Sequence, residues 1–159
     1  MNRVHAVVAD AAGPALAAQR ADLSIREMSE LYEQPSYECP VVVLTPITPD
    51  AAALSVEVQA DDLWWVIAAD GPGSELHSGI EKTHGNRYAL LGSLVAAVVA
   101  GRYRHGPCTE RVPRLLPRLR GFRESHGWCE SYETDNGPFT SRHFGRPAPL
   151  RERRFAPYL

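Results

Sequence analysis

The chain has 159 residues, of which 44% are hydrophobic and 23% charged, and its net charge is -2. A chain of this size and composition can bury one core, so the totals exclude wholesale disorder and favour a single domain. Residues 1–101 carry 5 basic and 13 acidic side chains, whereas residues 102–159 carry 12 and 6, and this asymmetry predicts that the basic part packs on the acidic part or meets an acidic partner.

The first part of the chain is predicted to be helical. Residues 4–8 form a short apolar run that fits a first strand or an ordered arm. Residues 13–20 are rich in alanine and open with Gly-Pro, which is tolerated in the first turn of a helix. A second helix is predicted from Ser24, because Ser24 and Glu27 have the spacing of a capping box, and Pro35 ends it.

Three or four strands are predicted next, as an antiparallel meander. Residues 41–45 lie between two prolines, and residues 54–58 alternate between apolar and polar side chains, as in a half-buried strand. Residues 63–69 are apolar on both faces, which is typical of a central strand. Residues 74–78 would return as a shorter strand after a turn.

A buried helix is predicted within the stretch of residues 87–103, because nearly every position from Tyr88 to Ala100 is apolar. Asn86 offers a cap oxygen and Gly101 ends the helix. The run is shorter than the roughly 20 residues that span a bilayer. It is therefore predicted as a core helix lying on the sheet face that carries residues 54, 56 and 58.

The chain beyond this helix is predicted to be an irregular region rich in prolines and aromatic residues. Residues 128–134 and 139–144 flank Asp135-Asn136-Gly137, which predicts a hairpin. Residues 113–120 could form a short helix. The fold class is α+β, with a core domain over residues 1–104 and a basic extension over residues 105–159 packed on it.

Two similar tetrapeptides predict a structural zinc site. His105 and Cys108 are three positions apart across a glycine, and so are His126 and Cys129. Two such knuckles could complete a tetrahedral site of two nitrogen and two sulfur ligands, for which zinc is preferred. Ordinary turns with partly buried thiols are the alternative.

An acid–base site is a second possibility for this region. On the predicted hairpin Glu130 could approach His143, with His126 close in sequence. A carboxylate beside a histidine is the arrangement that general acid–base catalysis needs. A solvent-facing pair without a catalytic role is the alternative.

Aromatic and basic residues suggest interaction surfaces. Trp64 and Trp65 are adjacent and so point to opposite faces of a strand, and one of them could anchor a partner, together with Phe155 and Tyr158 near the C-terminus. Nucleic acid could instead bind arginines with neighbouring aromatic rings. The residues concerned are Arg114, Arg118, Arg120 and Arg123, with Phe122 and Trp128.

The remaining features concern compartment and origin. No apolar run of signal-peptide or membrane-span length is found, and an odd number of cysteines, three, argues against a disulfide framework and for the cytoplasm. Lys82 is the sole lysine among 17 basic residues, which we interpret as the bias of a GC-rich bacterial genome.

Taken together, these features predict a non-catalytic binding protein that contacts another protein or a second copy of itself, as an immunity, chaperone or accessory factor would. The alternatives are a small metabolic enzyme and a nucleic-acid binder. No cofactor is expected other than the zinc.

Overall fold

The computed structural model describes residues 2–27, 39–58, 64–69, 78–80, 85–113, 122–144 and 151–159. Within these residues there are three helices and nine strands. In chain order they are α1 (Asn2–Ala11), α2 (Gly13–Ala17), β1 (Ala21–Glu27), β2 (Pro40–Pro46), β3 (Ala53–Val58), β4 (Trp64–Ala69), β5 (Ser78–Ile80), α3 (Arg87–Val99), β6 (Tyr103–Pro113), β7 (Phe122–Thr134), β8 (Gly137–Phe144) and β9 (Arg153–Arg154).

The N-terminal predictions were partly wrong. Residues 4–8 belong to α1 and not to a strand, because Val4 and Val8, one helical turn apart, are both buried. The predicted helix at 13–20 is confirmed as the short α2. The capping-box prediction at Ser24 is wrong, because Ser24 lies in β1, which pairs with β2 along all seven residues. From residue 28 onward that predicted helix lies outside the described residues.

The first sheet contains β1 to β5 in chain order, and every neighbouring pair is antiparallel. The meander prediction is therefore confirmed, with five strands instead of three or four. The predicted strands at 41–45, 54–58 and 63–69 correspond to β2, β3 and β4. The last strand, β5, overlaps the predicted residues 74–78 only at Ser78.

The core forms where the helices meet one face of this sheet. From β2 and β3, Val42, Leu44, Leu54 and Val56 are buried in one cluster with side chains of α1 and α3. On α3 the buried residues are Leu91, Leu94, Val95, Ala97, Val98 and Val99. Asn86 caps this helix as predicted, its side chain accepting a hydrogen bond from the Ala89 amide at 3.3 Å.

The second sheet has the strand order β8-β7-β6-β9 and is antiparallel throughout. The hairpin predicted around Asp135 is confirmed as β7 and β8, joined by a turn at residues 135 and 136. The prediction that the rest of this region is irregular was wrong for β6 and β9. The helix predicted at 113–120 lies outside the described residues, except that Pro113 ends β6.

The C-terminal residues 155–159 join the two sheets. The backbone amide of Tyr158 donates a hydrogen bond to the Val99 carbonyl at 2.9 Å. The side-chain hydroxyl of Tyr158 donates a second one to the Ala52 carbonyl at 2.6 Å. Phe155 lies against Tyr103, with ring centroids 5.1 Å apart. No helix in the described part of the chain is long and apolar enough to cross a bilayer.

Candidate functional site

The pairing of β6 with β7 decides which of the predicted site residues meet. Side chains alternate between the two faces of a strand, so residues three apart lie on opposite faces. In this register His105 lies opposite Glu130, and Cys108 lies opposite Gly127. The two histidines of the tetrapeptides are therefore on one face of the sheet and the two cysteines are on the other.

The two cysteines form a disulfide. Cys108 and Cys129 occupy diagonal positions, each opposite a glycine, with their Cα atoms 5.8 Å apart. The expectation that this chain has no disulfide was therefore wrong. The spacing of the cysteines in the sequence does not predict this bond, because only the strand register brings the two sulfurs together.

The four predicted zinc ligands do not converge in this arrangement. His105 and His126 lie across the sheet from the bonded sulfurs. In the part of the chain that the structure describes, no group of three or more His, Cys, Asp or Glu side chains could hold a metal ion. The zinc site stays a prediction that metal analysis tests.

A polar row crosses the second sheet on the histidine face. In register order it contains Arg153 of β9, His105 of β6, Glu130 of β7 and Ser141 of β8. An aromatic row lies next to it, in which the rings of Tyr103 and Tyr132 are 4.9 Å apart. Polar side chains thus directly border the apolar core.

Glu130 is the most buried member of this row, at 0% exposure. The Tyr103 hydroxyl donates a hydrogen bond to Oε1 of Glu130 at 3.1 Å. Burial, followed by the neighbouring Tyr132 and Glu130, raises the pKa of Tyr103 well above its ordinary value. The tyrosine is therefore held in its neutral, hydrogen-bond-donating form.

His105 is the histidine beside Glu130, and the sequence did not assign it this position. Its Nε2 is buried without a hydrogen-bond partner among the described residues, and its ring meets Trp128 edge-on at 5.6 Å between centroids. Burial lowers the pKa of His105. This lowering favours a neutral imidazole beside the buried carboxyl group.

The predicted acid–base partners of Glu130 are placed differently. His143 lies opposite Trp128, two residues along β8 from Ser141, which is the residue opposite Glu130. The side chain of His143 lies outside the described part. His126 is exposed and four residues from Glu130, about 13 Å along a strand. Neither residue is therefore directly opposite Glu130.

The predicted aromatic anchors are mostly internal. Phe155 and Tyr158 are 6% and 1% exposed and belong to the core cluster. They dock within their own chain. The side chains of Trp64 and Trp65 lie outside the described residues, so these two residues stay predicted interface residues.

The predicted nucleic-acid surface is largely beyond what the structure describes. Arg114, Arg118 and Arg120 lie outside it, as do the side chains of Phe122 and Arg123. Trp128 is 4% exposed, so its ring has little surface for stacking on bases. Nearer the core, some of the basic charge is paired within the chain: Arg102 contacts Asp135 and Arg104 contacts Glu133.

A second candidate site is the outer edge of the first sheet. Among the described strands, β1 pairs with β2 alone and so ends the sheet. Asp22, Ile25, Arg26 and Glu27 are exposed, and Ile25 reaches 49%. A strand at such an edge has backbone amides and carbonyls that can pair with a further strand. The sequence did not predict this edge strand, because the spacing of Ser24 and Glu27 indicated the start of a helix.

No protein-family model matches the chain, and comparison with curated proteins and with solved structures finds no match.

Proposed function

We propose that this chain is a non-catalytic protein-binding domain that binds through the open edge strand β1. The observation that carries the proposal is Ile25, a large apolar side chain 49% exposed in a strand that ends the described sheet. Strand addition to such an edge is a common mode of protein recognition, in which backbone hydrogen bonds supply affinity and side chains supply specificity. An immunity, chaperone or accessory factor could act in this way.

The charges on β1 allow a competing explanation. Proteins also place charged side chains on edge strands to prevent pairing, and β1 carries Asp22, Arg26 and Glu27. An exposed isoleucine, however, does not help an edge strand to prevent pairing. The combination of mixed charges and one apolar side chain favours selective pairing over general exclusion.

Site-specific photo-crosslinking in the native host tests the proposal. A photoreactive benzoylphenylalanine replaces Asp22 or Arg26, and a matched control places it at exposed Glu124 on the second sheet. We expect a discrete crosslinked product from both edge positions, a weaker product when Ile25→Lys is added, and none from the control. Equal crosslinking at all positions, or none at the edge, would contradict the proposal.

A second candidate function is a small-molecule acid–base site at His105 and Glu130. The observation that favours it is the buried His105 Nε2 without a described partner, next to a fully buried carboxyl group. A fragment screen read out by the NMR signals of His105 tests this function. Fragments that shift these signals in the wild type and not in Glu130→Gln would support it, and no shift with any fragment would contradict it.

A further inference from the structure

We propose that the strand that pairs with β1 is β1 of a second copy of this chain, antiparallel and centred on Ser24. This inference rests on the proposed use of the β1 edge and names the partner. It would join the two five-stranded sheets into one continuous sheet across a two-fold axis.

The sequence of β1 is complementary to itself in this register. With Ser24 opposite its own copy, Leu23 faces Ile25 of the other copy and Asp22 faces Arg26, and both contacts occur twice because of the symmetry. It is also the only antiparallel register in which two seven-residue strands overlap along their whole length. A slip of one residue would place Asp22 opposite uncharged Ile25 in one direction and opposite the like-charged Glu27 in the other.

The charges involved are free to make these contacts. Asp22 and Arg26 are exposed and form no ion pair with another described residue. They lie on the same face of β1 but four residues apart, about 13 Å, so they cannot pair within one chain. Pairing with a second copy brings each directly opposite its counterpart, at the separation where cross-strand pairs interact.

The apolar contact lies on the other face of the strand. Leu23 is half-buried and packs on the core. Ile25, two residues further along β1 on the same face, is 49% exposed. In the proposed register Ile25 meets Leu23 of the second copy. This contact extends the apolar layer beneath the helices across the interface and removes Ile25 from water.

The interface is expected to be weak and concentration-dependent. Seven residues a side bury less surface than the roughly 1,200 Å² of a standard stable complex. We therefore expect a dimer that dissociates on dilution. A partner held this loosely could also be displaced by an extended segment of another protein.

Sedimentation velocity over a range of concentrations tests the inference with charge-exchanged variants. In Asp22→Arg each copy would place an arginine opposite Arg26, and we expect the dimer dissociation constant to rise at least about tenfold, because two attractive pairs become repulsive. The double variant Asp22→Arg/Arg26→Asp restores opposite charges in this register and should return to near the wild-type constant. Glu124→Arg makes the same change of charge on the second sheet and should leave association unchanged.

Three results would overturn the inference: a wild-type protein that stays monomeric at every concentration, an Asp22→Arg variant that associates like the wild type, or a double variant that stays as weak as the single one. Thermal unfolding of each variant confirms that the fold is kept. A monomeric chain that still crosslinks to a different protein through β1 would leave the proposed function standing, so the two claims can fail separately.

Discussion

Gly101 sets the path of the chain from α3 into the second sheet. Its φ is +68°, in the left-handed region, and a Cβ built there would lie 2.7 Å from the Pro157 nitrogen. We expect Gly101→Ala to lower the free energy of unfolding by about 1–2 kcal/mol for the backbone conformation and a further ~1–3 kcal/mol for the steric overlap. Urea unfolding measures the loss.

Gly85 is the matched control for this prediction. It has a similar φ of +54°, but a Cβ there would meet no atom of the described residues within 4 Å. Gly85→Ala should therefore cost only the conformational part, about 1–2 kcal/mol. Equal losses in the two variants would show that the contact with the C-terminal residues does not constrain Gly101.

His105 should make stability depend on pH in the weakly acidic range. Burial lowers its pKa in the folded protein, whereas the unfolded chain binds the proton near the ordinary value of about 6.5. The folded state is then favoured above this pH, and the contribution is lost as pH falls towards the lowered pKa of His105. In His105→Gln, urea unfolding should show a smaller loss of stability between about pH 7 and about pH 5 than the wild type.

The exposed His126 provides the control, since His126→Gln should keep the wild-type pH dependence. The charged groups nearest His105 in register, Glu130 and Arg153, are present in both variants. An unchanged pH dependence in His105→Gln would contradict the prediction.

The sequence correctly predicted those structural roles that depend only on neighbouring residues. The cap at Asn86, the stop at Gly101 and the turn at Asp135 all follow from side-chain chemistry within a few positions. The pairing of His105 with Glu130 could not be predicted in the same way. It depends on the register of two strands whose connection, residues 114–121, contains no short turn signal that fixes it.

At the level of elements, tertiary pairing overrode local preference in β1. The spacing of Ser24 and Glu27 suits a helix start, worth about 1 kcal/mol. Seven residues of backbone pairing with β2, and the packing of Leu23 on the core, outweigh that preference. The valines of α1 show the reverse case, because a buried helical face overrode their preference for strands.

The prolines of β6 explain why the second sheet was not predicted. Proline lacks the amide that a central strand needs. In β6, however, β9 pairs only with Arg104 and His105, so Pro107 and Pro113 lie where one side of the strand has no described neighbour. A missing amide directed to that side costs no ladder hydrogen bond with a described strand. The prolines are therefore compatible with a strand here. The sequence alone does not reveal that most of β6 has a described neighbour on one side only.

The disulfide between β6 and β7 gives a prediction that also tests the zinc hypothesis. Closing a loop of this size, with 21 residues of sequence separation, stabilises a fold by about 2–4 kcal/mol. We expect a reductant to lower the free energy of unfolding by this amount, and the double variant Cys108→Ser/Cys129→Ser to show no response to reductant.

Cys39 serves as the control, because burial, followed by the charge of Glu57, raises the pKa of this free thiol. Cys39→Ser should keep the full response to reductant. The zinc hypothesis predicts instead that a chelator destabilises the protein and that elemental analysis finds about one equivalent of metal. Sensitivity to chelator, with none to reductant, would contradict the disulfide.

At the scale of the whole molecule, the last residues contact both the helical core and the second sheet, where Phe155 packs on Tyr103. Tyr158 reaches both the end of α3 and the loop before β3 through its two hydrogen bonds. Their apolar character led to the prediction that Phe155 and Tyr158 contact a partner, whereas both are buried within their own chain. Their docking place could not be predicted, because it requires the relative position of both sheets.

The charge asymmetry between the two parts of the chain has a partial explanation at this scale. Arg102 and Arg104 pair with Asp135 and Glu133, which belong to the same basic part. The acidic part leaves Asp22 exposed at the β1 edge with Arg26 on the same strand. β1 carries one basic and two acidic side chains, and the opposite charges of Asp22 and Arg26 favour a partner that offers the same two charges in antiparallel order, as a second copy would.

The most direct test of the proposed edge is to mix the two single charge variants. Asp22→Arg carries two arginines on β1 and Arg26→Asp carries two aspartates, so each should be monomeric alone, whereas an equimolar mixture should form a heterodimer in sedimentation velocity. This complementation requires residues 22 and 26 of different copies to face each other. A mixture that stays monomeric while the wild type dimerises would contradict the proposed pairing of β1 with its own copy.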